Sequence, residues 1–327
     1  MLSYVDQAAG LGCSRIRLTG GEPLLRPDFI DIYLHIRSQG VKVMLFTNGT
    51  LISNDMIAAF KKTPPGEPIE ISLYGSSHKT YEAVTGNGDG HRAAMAAIRA
   101  LRRNGVSFGI KSAWLPGIRE EARKINELAQ AIPNMPLPVQ FVDQFDLSVQ
   151  HDAARNATIR KLRAENDRIP APDQDGPRRM QVDRQFCRSF MKPGGDTLFT
   201  CGAGNGSAFL DAYGTVFPCL FVRAPRLGYD LTRGDLNDAL TVFFPSRLQK
   251  IRAADAGYLR HCARCFISGL CQQCPGKSWL EYGKLDKPVK YWCAQGHKKA
   301  LQLGLLKKRE AAWRVTDGPE RKRSVFG

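Results

Sequence analysis

The stretch SRIRLTGGEPLLRPDFIDIYLHIRSQGVKVMLFTNG, Ser14 to Gly49, decides the fold. It opens on SRIRLT, a short run in which Ile16 and Leu18 alternate with Arg15 and Arg17, the pattern of a strand. A double glycine follows, and then PDFIDIYLHIRSQG, whose apolar positions recur at helical spacing between Pro27 and the stop signal Gly40. A second β run, VKVMLFTNG, comes at once and ends on another polar, glycine-bearing loop. Parallel neighbours need a crossover of about a dozen residues or more, usually a helix, so strand, loop, helix and strand in this order form the unit of a parallel sheet.

The pattern extends in both directions. SYVDQAAGLG before it is helical and ends in glycine. After it come NDMIAAFKK, a helix with Asn54 as its cap, the strand IEISLYG, the helix GHRAAMAAIRALRRNG, the strand VSFGIKSAW, the helix REEARKINELAQAI and the strand VQFVDQF. Such alternation predicts an α/β fold with helices covering a parallel sheet, either wound open or bent toward a barrel. Sites in these sheets lie at the carboxyl ends of the strands. TGGEP (Thr19 to Pro23) and TNGT (Thr47 to Thr50) both fall there, on one rim. Gly20 and Gly21 permit close backbone approach, and the Glu22 carboxylate can accept hydrogen bonds from a ligand ammonium. The plain alternative is an ordinary strand-to-helix turn with a solvated glutamate.

With 327 residues, 43% of them hydrophobic, the chain can build one large core or two moderate ones. It contains no continuous apolar run of about 18 residues or more and no basic-then-apolar leader, which points away from a membrane and toward the cytoplasm. Nine cysteines, an odd and clustered set, read in a reducing compartment as metal ligands rather than disulfides. The net charge of +16 is spread over runs that also contain acidic residues, which favours solvated helix faces and a loose basic tail. An acidic peptide or a nucleic acid attracted over long range is the sharper alternative.

The second half changes character near Pro170. RIPAPDQDGPRRM, rich in proline and charge, reads as a connector into a cysteine-dominated region. Its thiols run C-x12-G-x4-C (Cys201, Gly214, Cys219), C-x2-C-x5-C-x2-C (Cys262, Cys265, Cys271, Cys274) and then Cys293. Four cysteines within thirteen positions could close a tetrahedral zinc site, but zinc leaves Cys201, Cys219 and Cys293 unexplained. Two cubane iron–sulfur clusters require about eight ligands. Cys187, a non-cysteine side chain or an open iron position could supply the eighth; an ordinary buried thiol is the simpler reading of Cys187, and Cys13 reads as a core thiol.

These residues resemble radical S-adenosylmethionine (SAM) enzymes carrying a SPASM domain, the group of peptide and protein maturases with auxiliary clusters. CGAGNGSAFLDAYGTVFPC followed by CARCFISGLCQQC is similar to the family's seven-cysteine signature, with two residues in the last interval where three are commoner. LTGGEPLLR, LFTNGTLI and IEISLYGSSHKTYEAVTG resemble successive strand ends of its barrel. The resemblance implies that Gly20, Gly21 and Glu22 receive the methionine amino group of S-adenosyl-L-methionine, with Thr47 and Ser72 near its sulfonium and ribose region. It implies that Cys262, Cys265, Cys271 and Cys293 hold one auxiliary [4Fe–4S] cluster and Cys201, Cys219 and Cys274 the other, whose last ligand is open.

The family's reactive cluster is held by C-x3-C-x2-C after the first strand, and that motif does not occur in this sequence. The expectation is therefore a partial (β/α)6 radical SAM barrel lacking its first strand over 1–145, a connector over 146–195, a SPASM domain over 196–300 and a basic tail over 301–327, in a chain that lacks its true beginning. In complete form such an enzyme removes a hydrogen from a peptide or protein substrate with a 5'-deoxyadenosyl radical, given a reducing electron donor. Two alternatives stand beside this reading: a non-catalytic iron–sulfur carrier or peptide-binding scaffold, and a zinc-stapled nucleic-acid binder. His261 and His297 read as groups behind the thiols or at the surface rather than as a catalytic pair.

Overall fold

The computed structural model describes residues 1–130, 139–169 and 195–326, together with positions 181, 184 and 185. Two compact units emerge, Met1–Phe145 with Leu162–Ala171, and Asp146–Lys161 with Pro172–Gly327.

The first unit alternates α1 (Leu2–Gly10), β1 (Arg15–Leu18), α2 (Phe29–Ser38), β2 (Lys42–Thr47), α3 (Asn54–Lys62), β3 (Ile69–Ser72), α4 (His78–Thr85), α5 (Asp89–Arg103), β4 (Phe108–Ala113), α6 (Pro116–Gln130) and β5 (Gln140–Val142). All five strands are parallel and lie in sequence order, β1-β2-β3-β4-β5. A doubly wound sheet reverses its order at a switch point; this one does not. Crossovers of one hand without a reversal put the helices on one face.

The two faces of the sheet differ accordingly. Val43, Leu45, Ile69 and Ile71 are fully buried, with Phe108 and Ile110 nearly so, in one core with Ile36, Phe60, Leu101, Ile118 and Ile125 of the helices. Burying each such side chain stabilises the fold by about 1.5–3 kcal/mol. The alternate positions Phe46, Glu70, Ser72 and Lys111 are only half-buried. An open sheet covered on both sides would make both faces apolar, so the polar face marks the concave side of a barrel-like curl. The α/β class and its parallel sheet stand as expected.

Local details differ from the sequence expectations. Ser53, not Asn54, caps α3: its Oγ accepts from the Met56 N–H at 3.2 Å. Helix α4 lies in the stretch GSSHKTYEAVTG that periodicity passed over; Ser77 caps it and Gly86 ends it at φ 72°. The expected connector 146–195 contains α7 (Ala153–Arg168). Its buried side chains are polar, Asn156, Arg163 and Asn166, so it carries little apolar periodicity. Asn156 Oδ1 accepts from the Ser148 N–H at 2.7 Å, Arg163 Nε donates to the Phe145 carbonyl at 2.7 Å, and Asn166 Nδ2 to the Asp143 carbonyl at 2.6 Å. Pro170 and the residues to Met180 lie outside the described residues.

In the second unit β6 (Phe209–Leu210), β7 (Thr215–Phe217) and β8 (Tyr229–Asp230) form a small antiparallel sheet. The stretch 301–327, expected as a loose basic tail, is folded through residue 326. Leu303, Leu305, Leu306, Ala312 and Phe326 share a core with Cys265, Phe266 and Ile267. Arg321 ties the segment together, donating to Glu310 at 2.5 and 2.8 Å and to Asp317 at 2.9 Å. The basic residues of this stretch had concealed its apolar ones.

Candidate functional site

At the rim of the first unit, Glu22 is held by the chain itself. Its Oε1 accepts from the Leu24 N–H at 3.1 Å and the Thr47 hydroxyl at 2.7 Å, and its Oε2 accepts from the Asn48 N–H at 2.8 Å. Thr47 Oγ1 in turn accepts from the Gly49 N–H at 3.0 Å. The carboxylate thus ties the loop after β1 to the loop after β2. Thr47, placed by the resemblance near the sulfonium and ribose, is 3% exposed and spends its hydroxyl hydrogen on Glu22. Glu22 has about four acceptor positions and uses three.

Gly20 adopts φ 137°, a conformation that side-chain-bearing residues rarely reach. A Cβ built on Gly20 or Gly21 would have no other atom within 4 Å. Internal packing therefore does not require the double glycine; it leaves bare backbone facing free space, which fits a ligand in close approach. Ser72 ends β3 beside this rim, one residue beyond Ile71, the register partner of Thr47. On the concave face Lys111 pairs with Glu70 at 2.5 Å, and Lys111 and Arg17 each lie 5.1 Å from the centre of the Phe46 ring.

Sequence reading missed Glu121 of α6. It accepts from the Ser76 N–H at 2.5 Å, the Ser77 hydroxyl at 2.5 Å and the Thr80 hydroxyl at 2.9 Å, fixing the loop that follows β3. Desolvation pushes its carboxyl up, but these hydrogen bonds together outweigh that and hold it below the ordinary value. A glutamate in REEARK gives no sign of a partner more than forty residues away.

The thiols of the second unit gather in two groups. Cys262, Cys265, Cys271 and Cys293 line one pocket, with Tyr258, His261, His297 and Trp313 around them. Burial, reinforced by neighbouring thiols, pushes Cys262 and Cys265 up to about 12. Burial likewise pushes Cys274 up to about 11, and its thiol neighbour is Cys219, which in turn neighbours Cys201. At neutral pH free thiols at Cys262, Cys265 and Cys274 would stay neutral, and a bound metal would make thiolates of them. Among the described residues no three His, Cys, Asp or Glu side chains close on a point that could hold a single ion. The four thiols line a common pocket without closing on one point.

The local reasons are visible. Gly214, at φ 85°, turns the β6–β7 hairpin that separates Cys201 from Cys219, while Asp211 Oδ1 accepts from the N–H groups of Tyr213 and Thr215 at 2.9 Å each. Cys274 caps helix Pro275–Tyr282. Cys293 sits on helix Lys290–Gln302, one turn before Gly296, where a Cβ would come within 2.4 Å of Cys271 Cβ. His297 Nδ1 approaches Cys293 Sγ at 3.6 Å, and His261 lies against Trp313 with ring centres 4.4 Å apart. Cys13 packs against the first core and donates to the Arg15 carbonyl at 3.2 Å; Cys187 lies outside the described residues.

Residues 1–132 match the profile of the Radical SAM superfamily. Members of that family are enzymes that use a [4Fe–4S] cluster and S-adenosylmethionine. Among curated relatives, the AdoMet-dependent heme synthase of Methanosarcina barkeri is 25% identical over 66% of this chain and 65% of its own length. The PqqA peptide cyclase of Ruegeria pomeroyi is 24% identical over 69% of this chain and 60% of its own. A probable GTP 3',8-cyclase of Metallosphaera sedula is 35% identical over 38% of this chain and 39% of its own. The chain thus spans less than two thirds of the length of each of these relatives.

Solved structures share the fold. That of anSMEcpe with bound AdoMet and the Cp18Cys peptide aligns with TM-score 0.57 at 13% identity, over 93% of this chain and 88% of that one. That of Streptococcus suis SuiB bound to precursor peptide SuiA aligns with TM-score 0.56 at 13% identity, over 89% and 68%. Among the described residues no helix is long and apolar enough to cross a membrane.

Proposed function

We propose that this chain is part of a peptide-modifying radical SAM enzyme whose second unit is a SPASM-type domain with two auxiliary [4Fe–4S] clusters. Cys262, Cys265, Cys271 and Cys293 would hold one, and Cys201, Cys219 and Cys274 the other. The observation that supports the reading is the gathering of Cys293 with the closely spaced Cys262, Cys265 and Cys271 around a single pocket, in a chain whose residues 1–132 match the Radical SAM profile. The domain division follows: 1–145 the radical SAM core, 196–300 the cluster domain, and 301–327 its folded closing segment.

With a reactive cluster and an electron donor supplied, bound S-adenosylmethionine would provide a carbon radical able to take a hydrogen from the substrate. The chain's own residues prepare the site. Gly20 and Gly21 present bare main chain to the methionine end of the ligand, with Glu22 fixing the loops on either side and Thr47 acting through Glu22. Ser72 flanks the ligand at the end of β3. The half-buried face around Phe46, Glu70 and Lys111 would line the space beside it.

Peptide substrates are supported by the two structural neighbours, each bound to a peptide, and by a peptide cyclase relative whose match covers 69% of this chain; the cyclase of GTP matches 38%. The proposed partners are a peptide and a strong reductant in the cytoplasm. The test is the fate of S-adenosylmethionine when the natural gene's full product is reduced with dithionite. Release of 5'-deoxyadenosine that rises on adding a candidate precursor peptide supports the proposal. A rise with GTP or a porphyrin instead would replace the substrate class, and no release from cluster-loaded protein would favour the non-catalytic carrier.

A further inference from the structure

The helix Pro275–Tyr282 that begins at Cys274 buries a positive charge. Lys277 is 6% exposed, and its ammonium pairs with Asp146, whose side chain is 26% exposed. The ammonium lies 3.7 Å from the centre of the Trp292 ring and 5.2 Å from that of Phe221. The same residue's backbone N–H donates to Cys274 Sγ at 3.4 Å, in the first turn of the helix. Gly276 lets Phe221 close over this turn: a Cβ there would come within 2.7 Å of Phe221 Cβ and 3.6 Å of Cys274 Sγ.

Taking an ammonium out of water is costly even when it is paired, and replacing such a pair by apolar side chains is often neutral or stabilising. A stability role alone is thus a poor account of Lys277. The positive end of the helix meets Cys274 through the Lys277 N–H, and the same turn carries the buried cation.

We propose that Lys277 raises the reduction potential of the cluster held by Cys201, Cys219 and Cys274, with Asp146 and Trp292 fixing its ammonium in place; this rests on the reading that those thiols hold a cluster. Reduction adds one negative charge to the cluster. A fixed cation in a medium of low dielectric stabilises that charge far more than one in water, and the Asp146 carboxylate paired with it offsets part of the effect.

The experiment is an anaerobic redox titration of the reconstituted chain, followed by electron paramagnetic resonance. Wild type is compared with Lys277→Met and with Lys277→Arg, which keeps the charge. Lys277→Gln serves in place of Lys277→Met if the latter does not accumulate. Removing the charge should lower the reduced-to-oxidised ratio of one cluster at least tenfold at a fixed potential, a shift of about 59 mV for one electron. The cluster on Cys262, Cys265, Cys271 and Cys293 should change less than twofold, and Lys277→Arg should stay near wild type. Both clusters present in Lys277→Met, with neither ratio changed by more than twofold, would overturn the inference. Iron content unchanged by Cys219→Ser would instead remove the cluster reading beneath it.

Discussion

Replacing Glu22 by Gln tests whether this carboxylate organises the ligand rim. The change keeps one oxygen, which can still accept from the Leu24 N–H and the Thr47 hydroxyl. It turns the other into an NH2 that faces the Asn48 N–H, now 2.8 Å from Oε2. One hydrogen bond to a charged acceptor is lost and a donor is left opposed to a donor, a loss of about 1.5–3 kcal/mol. Since Glu22 is half-buried, the lower part of that range, about 2 kcal/mol, is expected. Because both loops border the bare backbone of Gly20 and Gly21, the same loss should appear in S-adenosylmethionine binding as about a 25-fold weaker affinity, at about 1.4 kcal/mol per factor of ten. Urea unfolding reads the stability, isothermal calorimetry reads the affinity, and the iron content of the second unit should not change. Thr47→Val should reproduce part of both effects without touching a ligand. Unchanged stability and affinity in Glu22→Gln would refute the reasoning and return TGGEP to a plain turn.

Gly20→Ala should lower stability by about 1–3 kcal/mol through its φ of 137°, measured by denaturant unfolding. Gly296→Ala should empty the pocket of Cys262, Cys265, Cys271 and Cys293 while sparing the other thiol group, seen as loss of about half the iron; retention of all the iron would count against the packing argument. The lowered carboxyl of Glu121 contributes stability that is present above the ordinary glutamate range and is lost as pH falls through that range and below it. Glu121→Gln should therefore flatten the acid limb of the stability profile, and a profile as steep as wild type would contradict it. Arg321→Ala should speed hydrogen exchange across residues 303–326, where Arg321 holds Glu310 and Asp317.

The fold was legible where burial writes a period into the sequence. In β2, β3 and β4 every second residue faces the helices, so Val43, Leu45, Ile69, Ile71, Phe108 and Ile110 announce the sheet. Helix α7 was not legible because Asn156, Arg163 and Asn166 fill its buried positions and hydrogen bonds replace apolar contact. The closing segment 301–326 was misread because LKKRE and PERKRS outweigh Leu303, Leu305, Leu306 and Phe326 in any average over composition. In the candidate site, the glycines and cysteines could be singled out because their chemistry is local: Gly20 needs its φ and each C-x2-C keeps its spacing. The groups that act across long separations, Glu121 on Ser77 and Lys277 on Asp146, leave no local mark.

The central claim is that the second unit holds iron–sulfur clusters and not zinc. The direct measurement is iron, acid-labile sulfide and zinc per chain after anaerobic reconstitution of wild type, Cys262→Ser and Cys219→Ser. The account predicts about eight irons and eight sulfides in wild type and about half of each in either variant, from two cubanes of four irons. About one zinc per chain without labile sulfide, lost in Cys262→Ser and kept in Cys219→Ser, would contradict it.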